Sequence, residues 1–318
     1  WGIPCTDLDS DFAAQRIKNF SLGAALASAL RPSSGTGYKT LVDRFAYPLL
    51  GAGQVYDRMA AQIKAHGGEI HLSTSVTEVI LEQGAARGVV TSEGHTVRAR
   101  HVISTMPLTL LVRSFPNLPG PVSNACDALR FRNTTLVFAR VRQRSPFPDQ
   151  WIYVHDPRVS MGRLTNFSNW STEVGGDRDA TILCAEYWSN DEDAFWNFDD
   201  TDLDHIVRDD LRVTGLIGDA SIDRTAVHRL HRCYPVYARG YRDHVDVIRH
   251  HLSSVQGLQV IGRYGSFKYN NQDHSILMGL LAAENLLDDA THDLWAVNTD
   301  YEDYQESASI DETGLVAR

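Results

Sequence analysis

Gly262-Arg-Tyr-Gly-Ser-Phe-Lys-Tyr-Asn-Asn-Gln-Asp273 is the stretch whose reading decides the fold. The apolar run Leu258-Gln-Val-Ile261 before it predicts a short strand, and a helix is expected after it, with Ile276, Leu280 and Leu287 on one face. Strand, glycine loop and helix start, in that order, bring free backbone N–H groups and the positive end of a helix dipole to one place. Such a place suits a phosphate or an electron-rich ring edge. Arg263 and Lys268 add positive charge. The plainer alternative is a solvent loop capped by Asn271 or Asp273. So many donors and aromatics in twelve residues favour a binding site.

Working outward, Val245–Leu252 reads as the helix feeding that strand. Upstream, Gln54–His66 carries Val55, Met59 and Ile63 at helical spacing, and Gly67-Gly68 supplies a stop. Short strands are expected at Glu69–Leu72, Val76–Leu81, Gly88–Thr91, Thr96–Arg98 and His101–Ser104, with breaks at Gly84 and Glu93-Gly94. Near the start, Asp9–Lys18 and Leu22–Leu30 read as helices. From Pro107 to Gly240 the texture changes: prolines punctuate it, Thr134–Val141 alternates like a half-buried strand, and Thr201–Arg212 carries a stripe of Leu203, Ile206, Val207 and Leu211. The tail after Asn298 is acidic and polar, and is expected to be loosely held.

Gly51-Ala-Gly-Gln-Val-Tyr56 opens like a dinucleotide fingerprint but does not complete it. Tyr56 stands where the third glycine would let helix and strand approach, and Pro48 disfavours a central strand before it. Locally it reads as a glycine turn entering a helix.

Composition narrows the classes. A net charge of −10 without clustered Lys or Arg argues against nucleic-acid binding. No apolar run approaches the ~20 residues of a membrane span. The four cysteines, Cys5, Cys126, Cys184 and Cys233, form no CxxC pair, so no metal site is expected and the usage suits a reducing cytoplasm. Cys184 sits in an apolar run and reads as a core thiol. No GxSxG elbow supports hydrolysis. The phrase Trp1-Gly-Ile-Pro-Cys, without an initiating Met, reads as the start of a fragment or processed product.

Taken in order, five segments resemble the FAD-dependent amine-oxidase/protoporphyrinogen-oxidase superfamily, including UDP-galactopyranose mutases. They are Trp1-Gly-Ile-Pro-Cys with Gln15-Arg-Ile17; Tyr47-Pro-Leu-Leu-Gly-Ala-Gly-Gln54; Gly68-Glu-Ile-His-Leu-Ser-Thr-Ser-Val76 with Val102-Ile-Ser-Thr-Met-Pro107; Tyr234-Pro-Val-Tyr237 with Gly240-Tyr241; and Gly262-Arg263 with Tyr269 to Glu284. The resemblance runs from Trp1 to about Leu287, and what it lacks is the family's glycine-rich βαβ motif, which precedes these segments.

The resemblance implies an α/β fold in which an incomplete FAD-binding domain, a β-meander plus a C-terminal strand and helix, is interleaved with an α+β substrate domain. Residues 1–50 would form substrate-side helices and a linker, 51–106 and 241–297 the FAD-binding parts, 107–240 the substrate domain, and 298–318 the acidic tail. Val76 would meet adenine through its backbone. Thr105 and Met106 would lie near the cofactor, Gly262 and Arg263 near the pyrophosphate or ribityl chain, and Asn271, Gln272 and Asp273 at the flavin pyrimidine edge. Tyr234, Tyr237, Tyr241 and Tyr269, with Trp1 and Arg16, would line the substrate pocket. No residue stands out as a protein nucleophile or an acid–base pair. The expected activity is hydride transfer from a small or isoprenoid-like substrate to flavin. The alternatives are a non-redox flavin mutase on a nucleotide sugar and a truncated, non-catalytic domain without flavin.

Overall fold

The computed structural model describes residues 3–10, 46–175, 179–288, 290–297, 308–311 and 314–317. The helices expected over residues 9–18 and 22–30 fall almost wholly outside these, as do Trp1 and Arg16.

Helix α1, Gly53–Ala65, begins just after Gly51 turns the chain at φ +87°. It stops because Gly67 adopts φ +82°, so that the Gly67 N–H reaches Lys64 O at 3.0 Å and the Gly68 N–H reaches Ile63 O at 2.9 Å. That pair of bonds is a Schellman cap, which the Gly-Gly sequence anticipates. The apolar stripe that predicts the helix is nevertheless uncovered: Val55, Tyr56, Met59 and Ile63 are each 40–49% exposed.

A meander follows, made of β1 (Val76–Glu82), β2 (Ala85–Thr91) and β3 (Thr96–Arg98), all antiparallel. Gln83 and Gly84 join β1 to β2 with φ of 51° and 78°, the left-handed pair that a two-residue hairpin turn requires. Glu69–Leu72, expected as a strand, is not one. No described strand runs beside it to take its amides, and Leu72 is 82% exposed. Strand β4 (Val102–Ser104) then pairs in parallel with β10 (Leu258–Val260), Val102 opposite Leu258. Helices α2 (Leu108–Arg113) and α3 (Gly120–Ala128) lead from β4 into the middle of the chain.

The middle is a five-stranded antiparallel sheet in the order β6-β7-β8-β5-β9, where β5 is Phe131–Val141, β6 Trp151–Tyr153, β7 Arg163–Asn166, β8 Thr181–Ser189 and β9 Ile222–Pro235. A helical turn, α4 (Thr172–Gly175), lies between β7 and β8. Helix α5, Asp200–Thr214, covers one face of the sheet. Asp199 caps it by accepting from the N–H groups of Thr201 and Asp202 at 2.8 and 2.9 Å, and Gly215 ends it at φ +66°. Its stripe of Leu203, Val207 and Leu211 is fully buried against Val137, Ala139, Leu164 and Leu183. A second core draws Val79, Leu111 and Val112 from before the sheet and Phe131 from the first residue of β5 together with Tyr237, Tyr241, Ile248 and Phe267 from after it. The chain therefore leaves one core, builds another and returns.

Helix α6 (Tyr241–Ser253) leads to β10, a single helical turn α7 (Gly262–Gly265), and the long helix α8 (Gln272–Leu287). The tail expected to be loose contains a hairpin, with β11 (Ala308–Asp311) paired to β12 (Gly314–Ala317). The β-branched residues Ile310 and Val316, with Leu315, give those strands their propensity. Among the described residues no helix is long and apolar enough to cross a membrane.

The cysteines are free, with Cys5 exposed and Cys126, Cys184 and Cys233 buried. Burial raises the Cys126 thiol and pushes the Cys184 thiol up to about 12. A disulfide reagent at pH 8 should therefore modify one thiol quickly in the native protein and the remaining three only on unfolding. Rapid modification of three or four would contradict this packing.

Candidate functional site

Gly262 is the pivot of the site. It takes φ +81°, a conformation that side chains strain to adopt, and so turns the chain sharply out of β10 into α7. Gly265 allows a different thing, close approach. A Cβ there would stand 3.1 Å from Ser104 O and 3.3 Å from Val260 Cγ1, so any side chain would push α7 a few tenths of an ångström off the ends of β4 and β10. The chain then runs through buried Phe267, which meets Phe131 edge-on at 5.0 Å, and returns past Tyr269, whose N–H donates to Tyr237 Oη at 2.9 Å. Arg263 closes the loop by donating from Nη1 to Asn270 O at 2.6 Å. Lys268 is held the same way, donating to the carbonyls of Trp295 and Val297. Its burial depresses it to about 8.

Asn271 caps α8, so the amides of Gln272, Asp273 and His274 in the first turn have no carbonyl of their own helix to bond. The Gln272 side chain accepts from Tyr56 Oη at 3.0 Å, tying the start of α8 to the start of α1. Between them opens a cleft of about 1050 Å³, lined by Val55, Tyr56, Thr105, Cys233, Gly262, Arg263, Asn271, Gln272 and Asp273, among others.

A second cavity, about 630 Å³, lies against the five-stranded sheet. Arg132, Tyr153, His155, Arg163, Trp188, Tyr234, Tyr237, Arg263 and Tyr269 line it. Arg163, Tyr234, Arg263 and Asn271 border both cavities, so the two share a wall. In that wall Tyr234 and Tyr269 stack at 5.4 Å, and the Arg263 guanidinium lies 4.7 and 4.3 Å from their ring centres. Arg163 forks onto Glu186 with two bonds of 2.6 Å. Burial opposes the charge on Arg163, but the bonds and the charge of Glu186 outweigh it and hold the guanidinium firmly protonated. Burial also raises the Tyr234 hydroxyl, and pushes that of Tyr264 up to about 12.

The expected residues distribute as follows. Thr105, Gly262, Arg263, Asn271, Gln272 and Asp273 come together around the cleft, while Tyr234, Tyr237 and Tyr269 face the sheet-side pocket. Val76 begins β1 opposite Thr91, and Met106 packs on the core with its N–H donating to Ser104 Oγ at 3.3 Å; neither borders the cleft. Tyr241 stacks behind Tyr237 at 4.2 Å, in the core, and borders neither cavity. Arg132, Tyr153, His155, Arg163 and Trp188 escape a reading of motifs, because they sit on and beside sheet strands that carry no local signature. Strand alternation is the one signal that could have flagged them. Among the described residues no group of three His, Cys, Asp or Glu side chains is placed to hold a metal ion.

Residues 8–287 match the sequence model of the flavin containing amine oxidoreductases. The chain belongs to that family. Its fold is shared with a reduced UDP-galactopyranose mutase at a TM-score of 0.78 and 19% identity, over 94% of this chain and 64% of the mutase. A putrescine oxidase variant superposes at 0.53 and 18% identity, over 76% of this chain and 54% of the oxidase. A fatty acid isomerase from P. acnes that produces CLA superposes at 0.53 and 12% identity, over 76% of this chain and 52% of the isomerase. This amine oxidoreductase chain thus spans roughly half to two thirds of the length of the solved proteins it resembles. No curated protein matches its sequence.

Proposed function

We propose that this chain is the substrate-facing portion of an FAD-dependent oxidoreductase that takes hydride from a small or isoprenoid-like substrate. The observation that carries the reading is the wall shared by the two cavities, built from Arg163, Tyr234, Arg263 and Asn271. A cofactor in the cleft and a substrate in the sheet-side pocket would then meet across one layer of side chains. In this reading residues 51–106 and 241–297 belong to the FAD-binding part and 107–240 to the substrate domain.

The residues around the cleft suit the cofactor. Gly262 in its left-handed conformation brings backbone close to a ligand, and the Gln272 amide at the start of α8 offers a donor with a favourable dipole. Arg263 offers a fixed positive charge. When bound, the flavin supplies hydride acceptance; the protein's part is to orient it and stabilise charge on it.

A glycine-rich βαβ unit completes the cofactor site in this proposal. The pair β4–β10 is a two-stranded parallel sheet, yet parallel strands ordinarily need cover on both faces. Ile103 on β4 is 41% exposed, Leu72 82%, and the α1 stripe lies open. In this proposal a further strand and helix would bury apolar side chains of this kind. The 318-residue chain should purify colourless or with substoichiometric flavin, and supplying the βαβ segment should restore a stoichiometric flavin spectrum. Stoichiometric flavin on the 318-residue chain alone would refute the need for completion.

A redox-neutral reading, a flavin mutase acting on a nucleotide sugar, draws support from the placement of Arg263 over Tyr269. Conversion of a UDP-sugar without net oxidation would select it. Anaerobic bleaching of the flavin by a substrate that is left oxidised would select the first.

A further inference from the structure

We infer that the sheet-side pocket takes a ligand with a flat body and an anionic group, a carboxylate or a phosphate ester, and discriminates against cations. This deepens the substrate reading of that pocket and rests on it.

Charge comes first. Three arginines line the cavity and, among the described residues, no carboxylate does. Glu186 neutralises Arg163 from behind the wall. Among the described residues the other two form no ion pair, and only the more distant charge of Asp193 acts on Arg132. Arg132 donates from Nη2 to Trp188 O at 2.6 Å, and its buried Nε has no acceptor among the described residues. Arg263 donates from Nη1 to Asn270 O, and its buried Nη2 likewise has none. A guanidinium whose buried N–H lacks an acceptor is costly until one arrives, and an anionic oxygen is the strongest acceptor available.

A cation meets the opposite situation. Aromatic faces are the usual way to hold an amine where no carboxylate is present. Here the faces of Tyr234 and Tyr269 are already occupied by the Arg263 guanidinium. An ammonium group would enter as one more positive charge in a partly desolvated cavity. Shape completes the argument: Tyr153 and Trp188, which line the same cavity, offer apolar ring surface that suits a flat body.

The test titrates 2-naphthoate, 2-naphthyl phosphate and 2-naphthylmethylamine into the 318-residue chain, alone and with FAD added, following tryptophan fluorescence. One of the two anions should bind about tenfold or more tightly than the amine, and which one tells carboxylate from phosphate recognition. Arg132→Gln should weaken the anion about tenfold or more, because Arg132 borders this pocket and not the cofactor cleft. Arg132→Lys should recover part of the loss, as the charge stays and the planar fork goes. Arg87→Gln, on the meander, should change nothing. Near-UV circular dichroism reports whether each variant folds, and the wild-type comparison of anion with amine stands without any of them. Equal or tighter amine binding, binding of neither anion, or anion binding indifferent to Arg132→Gln in a folded variant would each overturn the inference. FAD titration into protein that carries the completing βαβ segment is a separate readout: flavin bound there with no anion selectivity removes this inference alone, and anion selectivity with no flavin bound there removes the cofactor reading alone.

Discussion

Replacing Asp210 by alanine should lower the stability of the protein by about 3–5 kcal/mol, the largest effect expected of any single change to its polar core. The Asp210 carboxylate is 6% exposed and has no cation within ion-pair distance among the described residues. Donors hold it instead: the N–H groups of Ser160 and Met161 at 3.2 and 3.1 Å, and Tyr187 Oη at 3.1 Å. Those bonds tie α5, the segment between β6 and β7, and β8 to one point beneath the sheet. Tyr187 is itself buried, and burial, followed by the charge and hydrogen bond of Asp210, keeps its hydroxyl protonated. Alanine would leave the Met161 N–H and the Tyr187 hydroxyl buried without an acceptor, each at a cost of about 1–3 kcal/mol, while the N–H of the exposed Ser160 can turn to water, and it would open a cavity besides. Tyr187→Phe removes one donor and keeps the ring against Phe195, so it should cost about 0.5–1.5 kcal/mol. Urea unfolding at constant slope measures both. If the alanine variant loses less than about 1 kcal/mol, the freed donors have found water and the packing described for this corner is too tight.

The parts of this molecule that its sequence discloses are those whose cause is local. Gly67-Gly68 stops α1 because the cap needs one residue at positive φ, and Leu203, Val207 and Leu211 declare α5 because the stripe is intrinsic to the helix. The loop from Gly262 to Asp273 shows itself for the same reason, since glycine conformations and a helix cap are decided within a few residues. Pairing is another matter. The pattern at Glu69–Leu72 says that a strand can form there, but a strand also needs a neighbour, and none lies beside it among the described residues. The pocket arginines are hidden by the same cause. Arg132 and Arg163 line one cavity because β8 lies between β5 and β7, with Arg163 opposite Glu186 and Thr134 opposite Trp188. That order is a property of the whole sheet, and no window along the chain contains it. Tyr241 shows the reverse case. It shares an aromatic segment with Tyr234 and Tyr237, but Gly240 at φ +78° turns it into the core behind Tyr237.

Gln272→Pro should weaken FAD binding about tenfold to a hundredfold relative to Gln272→Ala, measured in protein that carries the completing βαβ segment. The comparison isolates one backbone donor. Gln272 is the first residue of α8, the position where proline costs a helix least, because that amide has no intrahelical acceptor to lose. Proline also restricts the residue before it to extended backbone, and Asn271 is already there at φ −95° and ψ −179°. The helix should therefore survive, as circular dichroism would show. Both variants lose the bond that Tyr56 Oη donates to the Gln272 side chain, so that contact cancels between them, and Tyr56→Phe reports its size alone. What remains is the N–H of Gln272, a residue that borders the cleft. If it meets the flavin, its loss leaves a buried acceptor unpaired, a cost of about 1–3 kcal/mol, which corresponds to the expected range of affinity. The sign of the second readout follows from the dipole. A positive helix end stabilises the anionic reduced flavin more than the neutral oxidised one, so removing a donor there should move the midpoint potential downward in the proline variant. Equal affinities and equal potentials in folded proline and alanine variants would mean that this end of α8 does not face the cofactor. The cleft would then hold its ligand through Arg263 and the Gly262 turn instead, and the flavin edge would have to be sought along Thr105.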